Sequence, residues 1–368
     1  NKMIYLISIF MFFVVQAQDL EIPDQLKKPP MAENSILIDD DKAVTPKSII
    51  LIIADGAGIG QYTLSYYANE KFSPSQFQHV GLVATHPNDG FKKVADSASS
   101  GTAIATGQKT YNGAISVNDR GEPIETILEI ANRIGMSTGI VATSSVTHAT
   151  PASFIAHIDS RKKEAEIARQ MAKSNVDVIF GGGANFWSDD IQEILRDNNG
   201  QYITNINESY DPSKRIVGLF NEGPMSLHSE GRTPTTTEMA KKALSILDNN
   251  TGGFFLMIEE SQIDWGGHSN DPEYIKGEMQ SLNDLIDMCL QYQLENQNVL
   301  VILTGDQESG GVAIHDGQEG NLDVQFTSDY HSANFVPIWA SGPGAYFFDA
   351  MMDNTMIGKQ LIKYVKNR

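Results

Sequence analysis

Several strand-like runs in this chain end in carboxylates. One closes at Asp55, in "LIIADGAGIG". Another closes around Glu259, and "IEESQIDWGGH" then supplies Asp264 and His268. A third closes at Asp306, in "NVLVILTGDQESGG". His331, in "SDYHSANFVPI", adds an imidazole just before the last strand-like run. In open α/β sheets, ligands gather at the carboxyl ends of strands. Carboxylate oxygens with imidazole nitrogens make a zinc-type donor set. The Gly266-Gly267 pair is expected to let a loop wrap round such an ion. Buried carboxylates repel one another unless cations lie between them. The chemistry predicted is therefore that of several metal ions held close together.

A serine and an arginine belong to the same picture. In "VADSASSGTAIATG", Asp96 and Ser97 precede a small-residue helix running to about Thr106. A serine at a helix N-terminus faces backbone N–H groups and a dipole that favour an anion. In "SSVTHATPASFIAHIDSR", His148 and Thr150 follow another strand, and Arg161 is predicted to open a helix. Its guanidinium fork suits a phosphate dianion. Taken singly, these residues have ordinary explanations: an Asp-Gly turn, an N-cap, an exposed arginine in a helical first turn, a histidine in a loop. Their joint occurrence at strand ends points to a multi-metal site with a serine at its centre. Gln307 stands out, because a neutral amide follows Asp306 directly.

The elements that must position these residues alternate. Near-continuous, β-branched runs at 48–55, 137–143, 176–182, 252–260, 298–306 and 334–342 read as strands buried on both faces. Helical patterns fall between them at 125–135, 161–174, 237–250 and 271–297, and "NTMIGKQLIKYVKN" closes the chain. Alternating strands and helices predict an α/β three-layer sandwich, with a central, mainly parallel sheet and helices on both faces. "GGVAIHDG" and "NLDVQFTS" read as a hairpin-like excursion. The segment 183–235 matches no motif; a surface insertion around the site and part of a dimer contact are both open for it.

The chain has 368 residues, 41% of them hydrophobic, enough for a large core. Its formal net charge is −19, from 46 acidic and 27 basic side chains. A field of that sign repels nucleic acid and anionic membrane surfaces, so no nucleic-acid binding is expected. Lys2 followed by "MIYLISIFMFFVV" and Val15-Gln16-Ala17 reads as a signal peptide, residues 1–17, cut after Ala17. The run is short for a membrane span, so the mature form is expected to have none. The mature protein is expected to be exported, periplasmic or secreted. Residues 18–47, with Pro29-Pro30, read as an arm or linker, and 48–368 as one catalytic domain. Cys289 is the only cysteine, so no internal disulfide forms.

"DGAG", "DSASSGTAIATGQKTYNGA", "THATP" with "HIDSR", "EESQIDWGGH" and "TGDQESGG" occur in order between about residues 48 and 345. Together they resemble the alkaline phosphatase family. His148, Trp265 and the short chain are most similar to its compact, cold-active bacterial members. The resemblance implies hydrolysis of phosphate monoesters through a phosphoserine on Ser97, with Arg161 holding two phosphate oxygens. It implies that Asp264, His268 and His331 bind a first zinc, and that Asp55 and Asp306 bind a second metal touching Ser97. Asp55, Thr150 and Glu259 would hold magnesium, with His148 close by. It also implies a homodimer.

In the family pattern a metal-binding His follows Asp306; here Gln307 stands there and offers no imidazole. That departure keeps a second expectation open: a weakened or inactive exported homologue that binds phosphate or metal without turnover. A related phosphodiesterase or sulfatase is the other enzymatic alternative. Such enzymes would more naturally use Thr or a modified Cys as nucleophile.

Overall fold

The computed structural model describes residues 18–20 and 45–367. The expected signal peptide, 1–17, and residues 21–44 of the expected arm lie outside the described residues. Within that arm, Gln18–Leu20 form a short strand.

In chain order the strands are β1 (Gln18–Leu20), β2 (Ser48–Ala54), β3 (His79–Ala84), β4 (Ser137–Ser145), β5 (Val178–Gly182), β6 (Gly200–Ile203), β7 (Arg215–Leu219), β8 (Phe254–Glu260), β9 (Val299–Thr304), β10 (Glu308–Ser309), β11 (Ala313–Asp316), β12 (Leu322–Gln325), β13 (His331–Ser332), β14 (Val336–Ser341) and β15 (Met351–Asp353). The helices are α1 (Ile59–Ala68), α2 (Ser97–Thr106), α3 (Ile127–Arg133), α4 (Ala149–Ala152), α5 (Glu164–Lys173), α6 (Asp189–Asp197), α7 (Thr236–Leu247), α8 (Gln262–His268), α9 (Pro272–Glu295) and α10 (Asn354–Lys366).

The central sheet runs β15-β3-β14-β9-β2-β8-β4-β5-β7-β6. Only β14 lies antiparallel to its neighbours, β3 and β9; the other pairs are parallel. Strand β2 shows why helices cover both faces. Its side chains alternate. Ile49, Leu51 and Ile53 pack with Ala98 and Ile104 of α2, Ile130 of α3, Ile167 of α5 and Leu361 of α10. Ile50 and Ile52 pack with Leu64 of α1, Met239 of α7 and Leu282 of α9. A strand apolar on every residue is stable only between two such layers. The expected three-layer sandwich with a mainly parallel sheet is the observed architecture.

Four observations sharpen the sequence reading. The segment 183–235 carries β6 and β7, which complete one edge of the sheet. The hairpin excursion is real: β11 and β12 pair antiparallel, and β1 adds to β12. Arg161 does not open a helix. It sits in a turn, its N–H donating to Gly113 O at 2.8 Å, and α5 begins at Glu164. Finally, Gly266 and Gly267 are not in a wrapping loop but inside α8. A Cβ on Gly267 would lie 2.6 Å from Ser309 Cβ and one on Gly266 2.8 Å from Ile275 Cγ1, so the pair serves close packing of α8 on the β10 segment and on α9.

Candidate metal centre and anion site

Register brings the carboxylates to one edge of the sheet. Ile53 of β2 pairs with Glu259 of β8 and with Thr304 of β9. Asp55, Glu259 and Asp306 therefore emerge side by side, all fully buried. Gly56 follows Asp55 with φ +78°, and a Cβ there would come within 2.5 Å of Asp264 Cα. The turn after β2 thus presses against α8 because no side chain intervenes.

Ser97 is the first residue of α2. Asp96 caps that helix, its Oδ1 accepting from Ser99 N at 3.0 Å. Ser97 Oγ lies 3.4 Å from both carboxylate oxygens of Asp55. The other oxygen of Asp96 accepts from Gly113 N at 3.0 Å and from Arg161 Nη1 at 3.2 Å. One dipeptide therefore carries the serine and anchors the arginine. Arg161 Nη2 donates to His148 Nε2 at 3.0 Å, which leaves the imidazole neutral. Burial, with the adjacent Arg161 charge, lowers the His148 pKa to about 3. His148 also meets Trp265 edge-on, with ring centres 6.0 Å apart.

Two groupings bring potential ligand atoms within 4.8 Å of one another: Asp264 with His268 and His331, and Asp55 with His148 and Glu259. In the first, His331 Nε2 lies 3.2 Å from Asp264 Oδ1 and His268 Nε2 lies 3.4 Å from Asp264 Oδ2. Burial alone would raise Asp264. The hydrogen bonds from His268 and His331 outweigh it and hold that carboxyl well below the usual range. Hydrogen bonding to Asp264 in turn lifts His268 to about 9. In the second grouping, burial and the Asp306, Asp264 and Glu259 charges push Asp55 well above the usual range. Burial raises Glu259 to about 7 and Asp306 to about 6.

The fit to metal ions can be tested on unpaired atoms. Among the described residues, Thr150 Oγ1, Glu259 Oε1, Asp306 Oδ2 and Gln307 Oε1 are buried with no hydrogen-bond partner. A buried oxygen without a donor is costly, and one that faces other carboxylates is costlier still. Cations would satisfy all four. The residues present therefore fit divalent metal ions.

Asp55, Ser97, His148, Thr150, Arg161, Glu259, Asp264, His268, Asp306, Gln307 and His331 thus converge at one end of the sheet. Three contributions escape notice in the sequence. Asp96 aims Arg161. Ser309 Oγ donates to Asp264 Oδ1. Tyr330 stacks on the His331 ring, with centroids 4.5 Å apart and planes within 12°. An N-cap signature marks Asp96 in the sequence; its bond to Arg161 spans 65 positions and has no local signal.

The comparisons agree with this geometry. A family model described as alkaline phosphatase matches residues 46–321. Alkaline phosphatase 4 of Bacillus subtilis is 33% identical over 296 residues, which cover 75% of this chain and 64% of that protein. Alkaline phosphatase 3 of the same organism is 34% identical, covering 73% and 62%. The chain thus spans somewhat less than two thirds of the length of these relatives. Among solved structures, the alkaline phosphatase from the Antarctic bacterium TAB5 superposes with a TM-score of 0.82 at 35% identity, covering 88% of this chain and 98% of that one. The cold-active enzyme from Shewanella sp. gives 0.80 at 27%, covering 86% and 99%. A variant of the TAB5 enzyme is described with Mg bound in its M3 site.

Proposed function

The chain belongs to the alkaline phosphatase family, and we propose that it hydrolyses phosphate monoesters with Ser97 as nucleophile and Arg161 as the phosphate clamp. The observation that carries this reading is the double use of one dipeptide: Asp96 fixes Arg161 at 3.2 Å while Ser97 Oγ faces Asp55 at 3.4 Å.

Phosphoryl transfer needs positioning and charge compensation more than covalent ingenuity. Arg161 would take two oxygens of the phosphate and turn its phosphorus toward Ser97 Oγ. The Ser97 proton would pass to water, while Asp55, the carboxylate nearest Ser97 Oγ, would serve as a metal ligand. The Ser97 oxygen would bond to phosphorus as the bond from phosphorus to the ester oxygen breaks, and that oxygen would take a proton from water. Water would then attack the phosphoserine, restoring Ser97 and releasing inorganic phosphate. Divalent cations would supply the positive charge that stabilises the serine oxygen and the leaving oxygen. Asp264, His268 and His331 would hold zinc, an assignment favoured by their mixed nitrogen and oxygen donors. Asp55, Thr150 and Glu259 would hold magnesium. Transfer of this kind needs little recognition of the leaving group, so small monoesters as a class are the proposed substrates.

The family likeness extends the proposal to an exported homodimer, periplasmic or secreted. Among the described residues no helix is long and apolar enough to cross a membrane. One observation favours a second reading, a slow or silent phosphate- or metal-binding homologue: Gln307 occupies a position where a metal-binding His is expected. Rates on an aryl phosphate, a phosphodiester and an aryl sulfate, measured with zinc and magnesium present, decide among these. A clear preference for the monoester supports the proposal. Phosphate binding without turnover of any of the three would refute it, and preference for the diester would move the chain to the phosphodiesterases.

A further inference from the structure

Gln307 is wholly buried among the carboxylates. Its Nε2 donates to Asp55 Oδ1 at 2.7 Å and lies 3.4 Å from Ser97 Oγ and 3.5 Å from Asp264 Oδ1. Its Oε1 has no hydrogen-bond partner among the described residues. Asp306 is divided in the same way. Its Oδ1 accepts from the Gln307 backbone N–H at 2.9 Å and from Gly56 N at 3.2 Å. Its Oδ2 is buried with no partner among the described residues.

The amide N–H₂ therefore stands where positive charge is wanted, beside Asp55. Unpaired oxygens of Asp306 and Gln307 remain in the same pocket. A primary amide exchanges its nitrogen and oxygen by a half-turn about a soft terminal torsion. After that half-turn, Oε1 would face Asp55, and a cation between the two is what makes the arrangement favourable.

The donors gathered there are then Asp55, Asp306, Ser97 Oγ and Gln307 Oε1, all oxygen. Oxygen-only sets suit magnesium and manganese, whereas imidazole donors suit zinc. Resting on the metal-dependent reading above, we propose that the pocket between Asp55, Asp306, Ser97 and Gln307 is a hard-cation site of the magnesium or manganese class. It takes the Gln307 carbonyl oxygen as a ligand and discriminates against zinc. Beside the zinc pocket at Asp264, His268 and His331 and the magnesium site at Asp55, Thr150 and Glu259, the chain then has an oxygen-only pocket that touches the serine and shares Asp55.

The test counts metals and does not depend on turnover. Chelator-stripped full-length protein is loaded with excess zinc, freed of unbound metal and analysed for zinc per chain. Wild type is expected to keep one zinc fewer than Gln307→His. Manganese binding, followed by the loss of the free-ion electron paramagnetic signal, is expected to weaken at least about tenfold in Gln307→Leu, since even indirect partners of ligands are worth that much. Gln307→Asn keeps the amide but shortens its reach, and is expected to weaken manganese binding likewise; it stands in if the Leu variant does not fold.

Equal zinc content in wild type and Gln307→His overturns the proposal. So does unchanged manganese affinity in Gln307→Leu or Gln307→Asn. If the zinc counts differ as expected but no monoester is hydrolysed, the functional reading fails alone. If hydrolysis is seen with equal zinc counts, this inference fails alone.

Discussion

Glu259 and Glu260 are neighbours at the end of β8, both without solvent exposure and both raised to about 7 by burial. Their surroundings differ. Glu260 points into the layer of α7 and α9. There Arg232 Nη1 lies 3.3 Å from one oxygen and Ser281 Oγ donates to the other at 2.7 Å. Arg232 also binds Glu278 at 2.5 Å. Glu259 points the other way. One oxygen accepts from Ser261 Oγ at 2.6 Å and Ser144 Oγ at 3.2 Å, and the other has no partner among the described residues. The first glutamate is completed by a cation of the protein's own. The second is completed only by hydroxyls, among further carboxylates. Two equally buried charges on adjacent residues are thus told apart by who supplies the counter-charge. In the first case the cluster ties helices together; in the second an oxygen is left without a partner among the described residues, which the proposed metal ions would supply.

Substitutions on the two sides should separate accordingly. The largest effect is expected from Ser97→Ala, which should lower monoester turnover by at least about 10⁴-fold with the fold intact, as loss of a nucleophile generally does. Steady-state rates with circular dichroism check it.

On the other face, Arg232→Met leaves Glu260 and Glu278 buried without a cation. It should cost about 3–5 kcal/mol of stability, read from urea unfolding. A loss below about 1 kcal/mol would break the comparison, because both clusters would then be tolerated without their cation.

Arg161→Ala should lower kcat/KM by about 10²–10³-fold, the usual cost of one preorganised charge-stabilising donor. Stability should change little, and inhibition by inorganic phosphate should weaken in parallel.

The smallest effect is one of pH. In metal-stripped protein burial raises Glu259 to about 7 and Asp306 to about 6, above their ordinary carboxylate values. The folded state then binds more protons than the unfolded one between roughly pH 4 and 7, and stability falls as pH rises through that window. Added zinc and magnesium should remove the fall, and Glu259→Gln should reduce it. Chemical unfolding at pH 5 and pH 8, with and without metal, checks the sign.

Much of this arrangement is legible in the sequence, and what is not has physical causes. Strands β2, β8 and β9 are apolar throughout because both faces are covered, so they announce themselves. Strand β3 is half exposed, with Val80 and Leu82 open to solvent, and β6 has four residues; neither builds a distinctive run. The carboxylates at strand ends and the small-residue helix after Ser97 are visible because their chemistry is local. The bond from Asp96 to Arg161 and the hydroxyl of Ser309 on Asp264 depend on segments that meet only in the folded sheet. The orientation of the Gln307 amide is set by Asp55, 252 positions away. The glycine pair of α8 misleads in isolation, since its role is the close approach of Ile275 and Ser309 rather than a loop.

In the proposed reaction Ser97 carries the phosphoryl group. The most direct test mixes metal-loaded protein with an aryl phosphate, quenches in acid within one turnover and maps the peptides by mass spectrometry. Phosphoserine at Ser97, absent in Ser97→Ala, is the predicted result. Turnover by the wild-type protein with no phosphate on Ser97 at any quench time, under conditions where the phosphoester survives, would contradict the account.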